Sequence, residues 1–261
     1  MTSPEDVRLI TRDRLASDQA SSVRRLGDLA VAFLPLLAAA LGTSRLLGLT
    51  TSHLVICTGL YAILGGALLR YAPANLPAPG FGWANRITLV RASLAIPVVA
   101  LILNPGFVPD QGSWWVIALA GGALALDGLD GAVARASVTE TPFGARFDME
   151  VDASLILVLS VLVWTSTSLG AWVVGIGAIR YLFVAAAHRW PFLSAPLPPS
   201  LRRKTVCVVQ SVALLVCLAP PLTPPLRGTI AVIALGLLVY SFAVDVRWLI
   251  AHQPATRARM L

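Results

Sequence analysis

The stretch DGLDGAVARASVTETPFGARFDMEVD, residues 127–152, carries Asp127, Asp130, Asp148 and Asp152 between two long apolar runs, WWVIALAGGALAL (114–126) and ASLILVLSVLVW (153–164). Asp127 and Asp130 are three apart and Asp148 and Asp152 four apart, so on helices each pair shares one face. An unpartnered aspartate in the hydrocarbon core costs about 3 kcal/mol on insertion scales, and four facing one another add mutual repulsion. Something must neutralise them.

The rest of the chain shows that membrane is the right solvent to consider. Hydrophobic residues make up 57% of the 261 and charged residues only 13%, with a mean hydropathy of +0.78, which is too apolar for a soluble domain of this length. A helix needs about 20 mostly apolar residues to cross the bilayer. Apolar runs at roughly 27–43, 50–70, 86–104, 113–136, 148–167, 170–188, 204–219 and 229–247 therefore predict eight spans. The expected fold is an all-α polytopic membrane protein, a six-helix transmembrane core with two additional N-terminal transmembrane helices. Residues 1–26 read as an N-terminal tail and 27–70 as the two accessory helices. Residues 71–84, YAPANLPAPGFGWA, read as a Pro/Gly-rich linker that breaks helix, 85–250 as the core domain and 251–261 as a C-terminal tail. No second globular domain fits.

The net charge of +7 is nearly all arginine, with Lys204 the only lysine. The N-terminal tail, the 70–91, 135–146 and 189–204 connections and the C-terminal tail hold most of it, while the alternate loops NPGFVPDQG, STSLG and APPLTPPLRG are nearly uncharged. The positive-inside rule then puts both termini on the cytoplasmic side of the membrane, the inner or plasma membrane if the cell is bacterial, and this use of the charge leaves nucleic acid as a poor partner. Trp83, Trp114, Trp115, Trp164, Trp172, Trp190 and Trp248 all fall at span ends, the interface this side chain prefers. The first 26 residues lack the short apolar core and cleavage site of a signal peptide. Cys57, Cys207 and Cys217 have no metal or disulfide spacing and read as packing residues.

Two divalent cations would cancel four carboxylates, and an all-oxygen donor set suits magnesium or manganese better than zinc. A pair of such ions is also a device for clamping the attacking and leaving oxygens of a phosphoryl transfer. Gly128, Gly131 and Gly144, with Ala132 and Ala134, remove side chains where a phosphate would approach the backbone. Arg135 and Arg146 add positive charge beside it. The same acids would also suit buried ion pairs with Arg135 and Arg146, or the ion site of a cation-coupled transporter.

The pattern Asp-x2-Asp-Gly-x2-Ala-Arg-x8-Gly-x3-Asp-x3-Asp is met by Asp127, Asp130, Gly131, Ala134, Arg135, Gly144, Asp148 and Asp152. It resembles the signature of the CDP-alcohol phosphotransferases (CDP-alcohol phosphatidyltransferases). Upstream, NRITLVR supplies Asn85, Thr88 and Arg91, similar to the Asn-x2-Thr-x2-Arg that often opens that family's core. The resemblance covers roughly residues 80–250 and leaves the helices at 27–70 outside it. It implies transfer of a substituted phosphate from a CDP-linked alcohol to an acceptor hydroxyl, with CMP leaving, and a homodimer. On that resemblance Asp127, Asp130, Asp148 and Asp152 would hold two divalent cations, Mg2+ or Mn2+, with Asp152 also the general base. Asn85, Thr88, Gly131, Ala134, Arg135 and Gly144 would line the CDP pocket.

The acceptor is less legible. Arg180, inside the sixth span, with Arg146, Lys204 and the other cations of HRWPFLSAPLPPSLRRK, would suit a phosphorylated acceptor such as glycerol phosphate or inositol phosphate. For Arg189, Arg202 and Arg203 the plainer reading is placement at the head-group level. RRKTVCVVQ resembles a Lys-Thr segment of several family members, which favours CDP-diacylglycerol as donor and a small polar acceptor. An aminoalcohol transferase, with diacylglycerol as acceptor and CDP-choline or CDP-ethanolamine as donor, is the alternative. Asp245 and Arg247 read as a local ion pair or interfacial residues, and His53 and His252 as interfacial residues.

Overall fold

The computed structural model describes residues 4–73, 76, 80–104, 109–137 and 141–252, and for 4–20, 109–112 and 129–137 the helical backbone alone. Among the described residues the chain forms eight α-helices and no strand. They are α1 (Pro4–Leu46), α2 (Thr51–Tyr71), α3 (Trp83–Ile102), α4 (Pro109–Ser137), α5 (Pro142–Ser166), α6 (Gly175–Arg189), α7 (Leu201–Leu218) and α8 (Pro224–Ala251). Two short 3-10 turns, Ala171–Val174 and Pro191–Ser194, flank α6. Each helix covers one of the eight apolar runs, and the all-α polytopic fold expected from them is the fold observed.

Among the described residues five segments are long and apolar enough to cross a bilayer: Ser21–Leu46, Thr51–Tyr71, Trp83–Ile102, Ala171–Arg189 and Pro224–Ala251. Helix α5 opens on Arg146, Asp148, Glu150 and Asp152, and α7 opens on Arg202, Arg203 and Lys204, so in both the charges sit at one end of the helix. In α4 the described side chains give the apolar segment Ser113–Gly128. Helix α1 differs from expectation too, because it begins at Pro4 rather than near residue 27. Proline is favoured at the first helical position, and no Gly or Pro interrupts the chain between Pro4 and Gly27.

The chain divides into two compact units. In the first, Met1–Gly106 with Gly122–Val151, α1, α2 and α3 pack on one another. Leu29, Leu36, Cys57, Tyr61, Leu89 and Ile96 form their shared core, which Phe147 and Val151 of α5 join. Ala32, Ala40, Ala92 and Ala100 are almost wholly buried in it, the small side chains that let helices approach where lipid offers no hydrophobic drive. Polar side chains tie the helices as well: Tyr61 Oη donates to the Leu29 carbonyl at 2.6 Å, and Ser93 Oγ to the Ala32 carbonyl at 2.9 Å. Val31, Leu34, Val55 and Ile63 point outward, as lipid-facing positions should.

The second unit is Phe107–Gly121 with Asp152–Leu261. Helix α6 lies hard against α5, since a Cβ on Gly177 would fall on the backbone of Leu157 and 2.8 Å from Ser160 Oγ. Gln210 Nε2 of α7 donates to the Ala234 carbonyl of α8 at 2.9 Å, and Phe183 meets Phe242 edge-on at 5.4 Å. Trp164, Trp172 and Trp190 are exposed at or near element ends.

Candidate active site

Helix α5 starts where it does because Thr141 and Pro142 make a helix start. Thr141 Oγ1 accepts the Gly144 N–H at 3.0 Å, and Pro142, whose nitrogen has no hydrogen to satisfy, takes the first helical position. One turn later comes Asp148, and one turn after that Asp152. The boundary between the two units falls at Asp152, but that residue stands on the same unbroken helix as Asp148.

Helix α3 faces this start. Asn85, Thr88 and Arg91, spaced by three, are all buried. Arg91 is only 1% exposed and reaches both neighbouring helices. Its Nε donates to the Ala123 carbonyl of α4 at 3.2 Å, and its Nη1 pairs with Asp127 Oδ1 at 2.8 Å and with Asp148 Oδ1. A buried guanidinium needs such partners, and its planar fork can serve several at once. Asn85 Nδ2 donates to the Phe81 carbonyl at 2.7 Å, and Thr88 Oγ1 to the Ala84 carbonyl at 3.2 Å. Asn85 Oδ1 lies so near Gly144 that a Cβ there would collide with it. A methyl group at 144 would thus displace the Asn85 side chain.

Carboxylate oxygens of Asp127, Asp148 and Asp152 lie within 4.8 Å of one another, each acid half-buried. The group has no imidazole or thiolate, so its donors fit a hard divalent cation such as magnesium or manganese. Arg91 balances one of the three charges. Because a carboxylate has two oxygens, a guanidinium on one of them is compatible with metal ligation by the group.

The sequence-predicted residues divide by position. Asp127, Asp148, Asp152, Asn85 and Gly144 come together, and around Gly128 a Cβ would meet open space. Asp130, Gly131, Ala134 and Arg135 follow on α4, with their side chains outside the described residues. Arg146 is exposed, and the guanidinium that pairs with the acids is Arg91 of α3 rather than Arg146. In the second unit Arg180 is half-buried on α6 and Lys204 exposed on α7. Arg202 binds Asp245 and Ser241 of α8, and Arg203 reaches Asp245 at 3.3 Å and the Pro198 carbonyl. Asp245 therefore pairs with α7 and not locally with Arg247. Sequence reasoning placed Arg91 in a motif without giving it this bridging role. The available signal was an arginine two turns into the apolar helix, on the face of Asn85 and Thr88.

Carboxylates from two helices thus meet beside a buried arginine, a group that could hold a metal ion. The family model described as CDP-alcohol phosphatidyltransferase matches residues 81–240, well over half of the chain, and the protein belongs to that family. It is accordingly an integral membrane transferase of substituted phosphate groups, using a CDP-alcohol and an alcohol acceptor in phospholipid biosynthesis. Divalent metal is the family's general cofactor. No curated protein and no solved structure matches the chain.

Proposed function

We propose that the protein transfers a phosphatidyl group from CDP-diacylglycerol to the hydroxyl of a small polar acceptor, such as glycerol phosphate or inositol phosphate, releasing CMP. The observation that carries this reading is the convergence of Asp127, Asp148 and Asp152 beside Arg91. With Asp130 they are the ligands we assign to two divalent cations, Mg2+ or Mn2+. Bound there, the ions would offset the negative charge that develops on the diphosphate and make CMP a better leaving group.

The chain's own residues do the rest. Asp152 accepts the proton of the acceptor hydroxyl, a group whose pKa far above neutral makes it a poor nucleophile unaided, and such a base contributes typically ~10²–10⁴-fold. The freed oxygen attacks the phosphatidyl phosphorus, a new P–O bond forms, and the P–O bond to CMP breaks with its electron pair leaving on CMP. Asn85, Thr88, Gly131, Ala134, Arg135 and Gly144 hold the cytidine diphosphate. Arg91 keeps Asp127 and Asp148 facing each other. Arg146, Arg180 and Lys204 receive the acceptor's phosphate. The site and both termini lie on the cytoplasmic side, as the arginine distribution requires, and the protein works as a homodimer.

Purified protein incubated with CDP-diacylglycerol and a panel of glycerol phosphate, inositol phosphate, inositol and serine should release CMP with one acceptor, only when Mg2+ or Mn2+ is present. Asp152→Ala should abolish that release while the variant elutes and melts like the parent. Turnover by Asp152→Ala at the parental rate would remove this residue from the base role. CMP release from CDP-choline or CDP-ethanolamine with diacylglycerol, in place of CDP-diacylglycerol, would replace the donor assignment.

A further inference from the structure

The helices α1 and α2 precede the matched region, which begins at residue 81, yet an acid of α1 reaches the start of α3. Asp28 of α1, with its side chain only 11% exposed, accepts the Phe81 N–H on Oδ2 at 2.9 Å and pairs through Oδ1 with Arg86 Nε at 2.8 Å. Nearby, the buried Arg25 donates to the Pro73 carbonyl at 2.6 Å. Helix α3 has no side-chain cap of its own at Gly82. Asp28, from another helix, accepts the N–H of Phe81 just before the helix start and sets negative charge at the positive end of the dipole.

The bond continues inward. The Phe81 carbonyl receives Asn85 Nδ2 at 2.7 Å, which turns Asn85 Oδ1 onto Gly144 at the opening of α5. Gly80, in the left-handed region at φ 72°, lies so close to Asp28 that a Cβ would overlap its carboxylate. Asp28, Phe81, Asn85 and Gly144 thus form one chain of contact, from the accessory helix to the helix that carries Asp148.

We propose that Asp28 is a positioning residue for the nucleotide half of the active site, the part that α1 contributes to an enzyme core it does not belong to. The inference rests on the assignment of Asn85 to the cytidine diphosphate. A loosened Asn85 should weaken binding of donor in ground and transition state alike, which raises KM and spares kcat. Loss of folded protein would instead lower the maximal rate at constant KM.

The test uses the full-length protein in detergent or nanodiscs, with Asp28→Ala, Asp28→Asn, Asn85→Ala, the Asp28→Ala/Asn85→Ala pair, and Tyr61→Phe. Tyr61→Phe breaks an α1–α2 hydrogen bond away from the start of α3. Asp28→Ala should raise KM for CDP-diacylglycerol about tenfold, the effect of losing one buried hydrogen bond, with kcat changed less than about twofold. Asp28→Asn keeps an acceptor oxygen and should restore most of the KM. In the Asn85→Ala background the Asp28 change should add nothing. An unchanged KM in Asp28→Ala, multiplying KM effects in the pair, or an equal rise in Tyr61→Phe would each overturn the proposal. Amide hydrogen exchange over residues 80–90 gives a readout without turnover, expected to quicken in Asp28→Ala and not in Tyr61→Phe. If the parent releases no CMP from CDP-diacylglycerol, the functional assignment fails, and the exchange rates alone judge the positioning, unaltered rates in Asp28→Ala refuting it.

Discussion

Replacing Arg91 by methionine removes the bridge between three helices while keeping an unbranched side chain that fills much of the space. The guanidinium makes two charge-assisted contacts, to Asp127 and Asp148, and a third bond to the Ala123 carbonyl. Charge-assisted bonds contribute about 1.5–3 kcal/mol each when buried. Arg91 is buried, but the Asp127 and Asp148 side chains are 28% and 37% exposed, so water recovers part of what they lose. Halving the two ion-pair contributions and adding about 1 kcal/mol for the carbonyl bond gives a destabilisation of about 3 kcal/mol. For a chain of this size that is a fall in melting temperature of about 6–12 °C. The assay is thermal unfolding of the detergent-solubilised protein, followed by tryptophan fluorescence in chelator and again with saturating Mg2+ or Mn2+. In chelator the variant should melt earlier by that interval. With metal the gap should shrink by more than half, because cations then neutralise the carboxylates that Arg91 neutralised. Arg91→Lys should fall between, since one ammonium cannot reproduce the fork. An unchanged midpoint in chelator would show that the bridge contributes nothing. A gap indifferent to metal would refute the idea that guanidinium and cation share the same acids.

Gly144→Ala forces Asn85 to move, and should lower kcat/KM for the CDP substrate about tenfold with near-parental stability, read by initial rates and melting together. Gly177→Ala puts a methyl against the Leu157 backbone, which cannot rotate away as a side chain can; it should destabilise by about 2–3 kcal/mol, seen as reduced melting temperature and yield. Asp245→Ala leaves Arg202 and Arg203 without their anionic partner. As both arginines are partly exposed, the loss should be about 1–2 kcal/mol, checked by melting, with Asp245→Asn milder.

The helical path was largely legible because apolar length is a local property. Runs such as 50–70 and 86–104 reappear as α2 and α3 within a few residues, and Trp83 and Trp190 sit at the element ends where an amphipathic ring is expected. The acids were legible too, since Asp127 and Asp148 are anomalous in apolar surroundings whatever they touch. Which cation faces them was not. Arg146 is nearer in sequence, whereas Arg91 arrives from a helix 57 positions before Asp148, a pairing that only the packing of α3 creates. Asp28 was invisible for the same reason. Its partners Phe81 and Arg86 lie across the whole α2 hairpin, and nothing in the local pattern of α1 marks it.

The turn at Gly80 links two residues that sequence distance separates. With its φ of 72° and no room for a Cβ beside Asp28, it makes positions 28 and 80 heritable as a couple. A lineage that replaced Gly80 would have to shorten or abandon the acid at 28, so the two sites should drift together or stay put together.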